Sequence, residues 1–199
     1  MKIGIYGGTF NPIHNGHLKL AELAYKECGL DKVVFMPSGS SYLKDQVLSP
    51  EIRYQMVLLA IEGIDYYAAS DMEIRRKGPT YSYETFEQLH QKHPKDEIFF
   101  IMGEDSLRYI EQWKEPDRLM KACSLIVAAR QGEAASAKID LEQYAAYLGE
   151  KYHTEIICIR MNDENSSSRI RQYVRDGKEI GRMVPEAVND FIIKNNLYR

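Results

Sequence analysis

Cysteine is scarce in this chain, and long apolar runs are missing. Cys28, Cys123 and Cys158 are the only three cysteines in 199 residues. They are odd in number and form no C-x-x-C pair, which argues against a disulfide framework or a zinc knuckle and fits a reducing compartment. No run approaches the length of a membrane span, and no leader-like apolar stretch opens the sequence, so the expectation is a cytoplasmic protein with no membrane partner. An excess of positive charge is missing too. Lys and Arg total 26 against 29 Asp and Glu, a formal net charge of -3, whereas a surface that coats nucleic acid would be strongly basic. An anionic ligand must therefore be met by local positive groups. Two common phosphate-binding signatures are absent: there is no G-x-x-x-x-G-K-[ST] loop, and no G-x-G-x-x-G follows the first apolar run.

What is present suits a globular enzyme. Apolar residues make up 44% and charged residues 28%, enough for a real core, and the length fits one domain. Apolar runs rich in Ile, Val and Phe occur at 2–6, 32–36, 97–102, 124–129 and 154–159. Helical patterns alternate with them near 17–28, 50–62, 82–92, 104–122 and 138–151, and a last helix is expected at about 185–195. This order predicts an α/β fold with a buried parallel sheet and helices on both faces. Ligands of such sheets bind beyond the carboxyl ends of the strands.

The stretch "GGTFNPIHNGH" (7–17) follows the first strand directly. Gly7 and Gly8 would let the backbone approach a ligand, Thr9 offers a hydroxyl and Phe10 an apolar wall. Asn15 is placed to cap the next helix, and Gly16 leaves room between His14 and His17. These two imidazoles, three apart, can face one space at a helix N-terminus, which already favours anions. A zinc reading of H-x-x-H lacks a nearby third ligand. "NSSSRIR" (165–171) reads as a second helix N-terminus, where Ser167 and Ser168 can donate to phosphate oxygens and Arg171 can clamp them. Gly103 and Asp105 close the strand 97–102, where a carboxylate can accept from sugar hydroxyls. His90 and His93 read as surface residues.

These segments carry a resemblance. "GGTFNPIHNGH" resembles the motif of the H-x-G-H nucleotidylyltransferase superfamily, and most closely its nicotinate mononucleotide adenylyltransferases. "FIMGEDSLRYIEQW" (100–113), "KGPTYSYETFEQL" (77–89), "NSSSRIR" and the ending "GKEIGRMVPEAVNDFIIKNNLY" resemble that family's other segments, so the likeness covers essentially the whole chain. It implies a Rossmann-like doubly wound sheet of the nucleotidylyltransferase type, a single domain over 1–199, and a C-terminal helical part (about 165–199) that completes an ATP site. It implies adenylyl transfer from ATP to nicotinate mononucleotide, with Mg²⁺ carried mainly on the ATP phosphates. His14, His17 and Arg171 would be catalytic. Gly7, Gly8, Thr9, Phe10, Gly16, Gly103, Asp105, Ser167 and Ser168 would bind ATP. Lys44, Tyr81, Thr85 and Trp113 would bind the acceptor, with Trp113 stacked on its pyridine ring. Three departures stand out: Glu104 where the family has Ala, Lys114 where it often has an aromatic, and "SSYLK" in place of its P-P-H-K loop. Arg53, on the next helix, could reach the acceptor phosphate or be solvated. The opening motif alone leaves room for a sibling acting on nicotinamide mononucleotide or phosphopantetheine, or for a non-catalytic nucleotide sensor; an assembly of identical copies is also left open.

Overall fold

The structure, a computed structural model, describes residues 1–39, 47–130, 140–162 and 165–199. Six strands form one all-parallel sheet: β1 (Lys2–Gly8), β2 (Lys32–Pro37), β3 (Tyr67–Ala69), β4 (Glu97–Gly103), β5 (Ser124–Arg130) and β6 (Ile156–Met161). Their spatial order is β3-β2-β1-β4-β5-β6. The chain thus winds outward from β1 in one direction, returns, and winds outward from β4 in the other. The switch point lies between β1 and β4, where Ile5 pairs with Phe100, and the carboxyl ends of these two strands border the natural ligand crevice.

Successive side chains of a strand leave on opposite faces. Phe99 and Ile101 of β4 therefore join one core, and Ile98, Phe100 and Met102 the other. The first core is covered by α1 (Asn15–Glu27), α2 (Pro50–Ile61), α8 (Ser167–Arg175) and α9 (Glu186–Lys194), through Leu20, Val57, Ile170 and Val188 among others. The second is covered by α4 (Ser82–Lys92), α5 (Glu104–Arg108), α6 (Pro116–Ala122) and α7 (Leu141–Tyr152), through Phe86, Leu107, Leu119 and Leu148. A short α3 (Met72–Arg75) follows β3. No helix among the described residues is long and apolar enough to cross a membrane.

Two expectations need correction. The edge strand β3 has only three residues, too few for a period-2 pattern to register. The helix expected over 104–122 is broken in two. A 3-10 turn (Ile110–Gln112) follows α5, Trp113 is extended, and Glu115 is left-handed (φ 53°) immediately before Pro116, which opens α6. The residue before a proline is driven out of the helical region, and proline suits the first position of a helix.

Candidate functional site

A cleft of about 660 Å³ opens at the switch point, within the usual range of small-molecule sites of roughly 300–1,000 Å³. Every residue assigned above to catalysis or to ATP lines it: Gly7, Gly8, Thr9, Phe10, His14, Gly16, His17, Gly103, Asp105, Ser167, Ser168 and Arg171. The ends of β1 and β4 supply one wall, and the N-termini of α1 and α8 face it. Ser166, which sequence reading left in the background, also lines the cleft and caps α8, its Oγ accepting from the Arg169 N–H at 3.2 Å.

The two imidazoles stack, with ring centroids 3.7 Å apart. His14, not Asn15, is the N-cap of α1. Asn15 is the first helical residue, and its backbone and side-chain N–H groups reach Met183 O and Arg182 O instead. His17 Nδ1 accepts from the His14 backbone N–H at 3.1 Å. That hydrogen bond assigns the proton of neutral His17 to Nε2, which makes this nitrogen its donor. Burial first, and the neighbouring His14 charge second, hold the His17 pKa well below the ordinary histidine value. The free protein therefore presents a neutral imidazole at pH 7.

The glycines serve packing as well as access. A Cβ on Gly8 would sit 2.9 Å from the Phe10 ring, and one on Gly7 would sit 3.0 Å from the Phe100 ring. Gly103 has open space where a side chain would be. Phe10 itself is left-handed (φ 49°), a strained conformation for a bulky residue that costs on the order of 1–3 kcal/mol and persists only where the surroundings impose it. They do so here. Arg171 Nη1 donates to Asn11 O at 2.8 Å, Ser167 Oγ to Pro12 O at 2.9 Å, and Tyr198 Oη to Asn11 Oδ1 at 2.9 Å. Arg171 Nη2 also donates to Ser168 Oγ at 3.2 Å. Arg171 and Ser167 brace the loop, and part of their expected phosphate-donor capacity is spent on it.

Arg53 is neither solvated nor aimed at the cleft. It is fully buried (0% exposed). Its guanidinium donates to four main-chain carbonyls: Thr9 (2.6 Å), Ser38 (2.7 Å), Gly39 (3.0 Å) and Leu48 (3.0 Å). The signal was available in the sequence. Arg53 opens the stripe 53, 56, 57, 60, 61, which is the buried face of α2.

Of the expected acceptor residues, Tyr81, Thr85 and Trp113 are not in the lining of this cleft. Lys44 falls outside the described residues. Trp113 is half-buried against the second core, its ring 6.1 Å from that of Phe100. Lys114 does not take over an aromatic contact; its ammonium lies 4.4 Å from the centroid of the Tyr81 ring, at the N-cap of α4. Thr85 lies deeper than its expected role suggests. It is fully buried, and its hydroxyl donates to Glu73 Oε1 at 2.8 Å and accepts from Arg76 Nη1 at 3.1 Å. That hydroxyl is committed to an internal network around Glu73, whose carboxyl burial pushes above its ordinary pKa. Among the described residues, no group of three or more His, Cys, Asp or Glu is arranged to hold a metal.

A profile of the cytidylyltransferase-like family matches residues 5–173. The chain belongs to this family. Among its relatives, a chain from Clostridium botulinum named probable nicotinate-nucleotide adenylyltransferase is 37% identical, with 98% of each chain covered. A chain of the same name from Carboxydothermus hydrogenoformans is 38% identical, covering 100% of this chain and 98% of that one. The fold is shared with a solved nicotinic acid mononucleotide adenylyltransferase of Plasmodium falciparum. Its complex with APC has a TM-score of 0.79 at 22% identity, covering 99% of this chain and 96% of that one. Its complex with NaAD has a TM-score of 0.81 at 22% identity, covering 99% and 97%.

Proposed function

We propose that the chain transfers the adenylyl group of ATP to nicotinate mononucleotide, giving deamido-NAD and pyrophosphate, as a step of NAD biosynthesis. The observation that carries this reading is the meeting of two stacked imidazoles, two helix N-termini and Arg171 in one cleft at the switch point. The full-length identity to chains named nicotinate-nucleotide adenylyltransferase supports the choice of acceptor.

The nucleophile is the acceptor's own phosphate, which is already anionic. It attacks the α-phosphorus of ATP in line; a new P–O bond forms, the bond to the β-phosphate oxygen breaks, and pyrophosphate leaves. No covalent intermediate and no general base are required, so catalysis is positioning and charge stabilisation. His17 would donate from Nε2 to a phosphate oxygen, with His14 beside it. Arg171, Ser167, Ser168 and the first-turn N–H groups of α8 would receive the departing phosphates. The backbone of Gly7, Gly8, Thr9, Phe10, Gly16 and Gly103 would wall the nucleotide, and Asp105 would accept from its sugar. The donor set suits an ion carried on the substrate, since Asp105 is the carboxylate in the lining. Mg²⁺ carried on the phosphate oxygens would neutralise their charge. Trp113 would receive the pyridine ring, backbone amides and hydroxyls around Tyr81 to Thr85 its carboxylate, and Lys44 the acceptor phosphate. The C-terminal part would work with the sheet as one domain. The three cysteines are unbridged, which supports a reducing, cytoplasmic setting.

Pyrophosphate release should be followed with ATP and a panel of acceptors: nicotinate mononucleotide, nicotinamide mononucleotide and phosphopantetheine. Turnover should be fastest with nicotinate mononucleotide. A preference for another acceptor overturns the substrate assignment, and silence with all of them overturns the transfer reaction.

A further inference from the structure

We propose that Arg53 is a positioning residue for the transfer, because its buried guanidinium fixes the backbone on which Phe10 and the two histidines are set. The inference rests on the adenylyl-transfer reading and adds to it a residue that touches neither substrate. A guanidinium stays protonated even when burial lowers its pKa from the usual value, as it does here. No ion pair between Arg53 and a carboxylate is found among the described residues. Burying such a charge is costly, and a well-packed apolar side chain is often the more stable choice. The rest of the stripe on α2, Met56, Val57, Ala60 and Ile61, is apolar. Arg53 is the one charged residue on that buried face.

The fork instead ties together three pieces of chain: the loop after β1 at Thr9, the end of β2 at Ser38 and Gly39, and the residue before the N-cap of α2 at Leu48. The hold on Thr9 is the consequential one. The next residue is the left-handed Phe10, and the residue after that is gripped through its carbonyl by Arg171. Two guanidinium groups therefore clamp the carbonyls on either side of the one strained residue of the loop. The Phe10 ring, only 2% exposed, meets the His17 ring edge-on at 5.0 Å and the Tyr6 ring at 5.4 Å. Arg53 thus sets Thr9, Thr9 sets Phe10, and Phe10 supports the imidazole that faces the phosphates. Lysine, with one compact ammonium, cannot reproduce a planar fork reaching three segments.

The test compares Arg53→Lys and Arg53→Gln with the unaltered protein, assayed in parallel below their melting temperatures. In both variants kcat should fall by about 100-fold per folded molecule while KM for nicotinate mononucleotide stays within about threefold, since a misplacement of about 1 Å in a positioned group has such an effect. A lower melting temperature with kcat unchanged would mean a purely structural role and overturn the proposal. If the variants do not fold, Arg53→Ala is refolded with millimolar guanidinium. Return of kcat together with the melting temperature supports the proposal; return of the melting temperature alone, or of neither, overturns it. Failure of the unaltered protein to transfer adenylyl groups would instead fault the reading of the reaction.

Discussion

Neutral His17 carries a pH dependence whose sign follows from its surroundings. Its folded pKa lies well below the usual value, mainly through burial and then through His14. The unfolded chain takes up a proton near pH 6.5 that the folded chain refuses, so this contribution to stability is complete above that pH and is lost as pH falls through it. The melting temperature should therefore drop between pH 7 and pH 5, and less steeply in His17→Asn; identical slopes would contradict the assignment. ATP should raise the His17 pKa, because a phosphate favours the charged ring, and a ¹⁵N titration of the imidazole would show it. His17→Ala should lose turnover by orders of magnitude with little change in fold, and a near-normal rate would refute its role. At this scale the sequence showed which side chains matter better than what each one touches. That His14 and His17 would face one space followed from their spacing after a strand, and Arg171 stood out at a serine-rich helix start; all three line one cleft. That Arg171 braces Asn11 was not legible, because a hydrogen bond over 160 positions leaves no local pattern. The Thr85–Glu73 hydrogen bond was hidden for a similar reason: Glu73 lies on a helix too short to be seen.

Elements were legible where they are long and periodic. Five strands and the main helices fall close to their expected positions, because buried parallel strands are nearly continuous apolar runs. The breaks were not, although Pro116 marked one. That break matters, since it leaves Trp113 in an extended link between the 3-10 turn and α6, free of helical constraint and anchored by packing against Phe100. Trp113→Ala should weaken binding of the pyridine nucleotide with kcat at saturation largely kept; an unchanged KM for that substrate would remove Trp113 from the site. Tyr198, beyond α9, makes an equally specific claim. Tyr198→Phe removes one partly buried hydrogen bond to Asn11, worth about 1 kcal/mol. The melting temperature should fall by roughly 2–4 °C, and differential scanning calorimetry would measure it.

At the scale of the whole molecule, the sheet order fixes where the chemistry can occur, and this was the most legible feature of all. Alternation of strands and helices predicts the doubly wound sheet, and the sheet puts the ligand crevice beyond β1 and β4. A ligand that bridges both halves should stabilise the entire fold. ATP at a hundredfold excess over its Kd should add about 2.7 kcal/mol, or roughly 5–11 °C in melting temperature; a thermal-shift titration with no response would contradict nucleotide binding in the cleft. The contact between Tyr198 and Asn11 spans 187 positions. During synthesis, residue 11 emerges from the ribosome long before residue 198 is added. The sheet and most of both cores can assemble on the nascent chain while the loop that bears the two histidines still lacks one of its braces. That loop therefore gains this brace only once a residue 187 positions further along has been added.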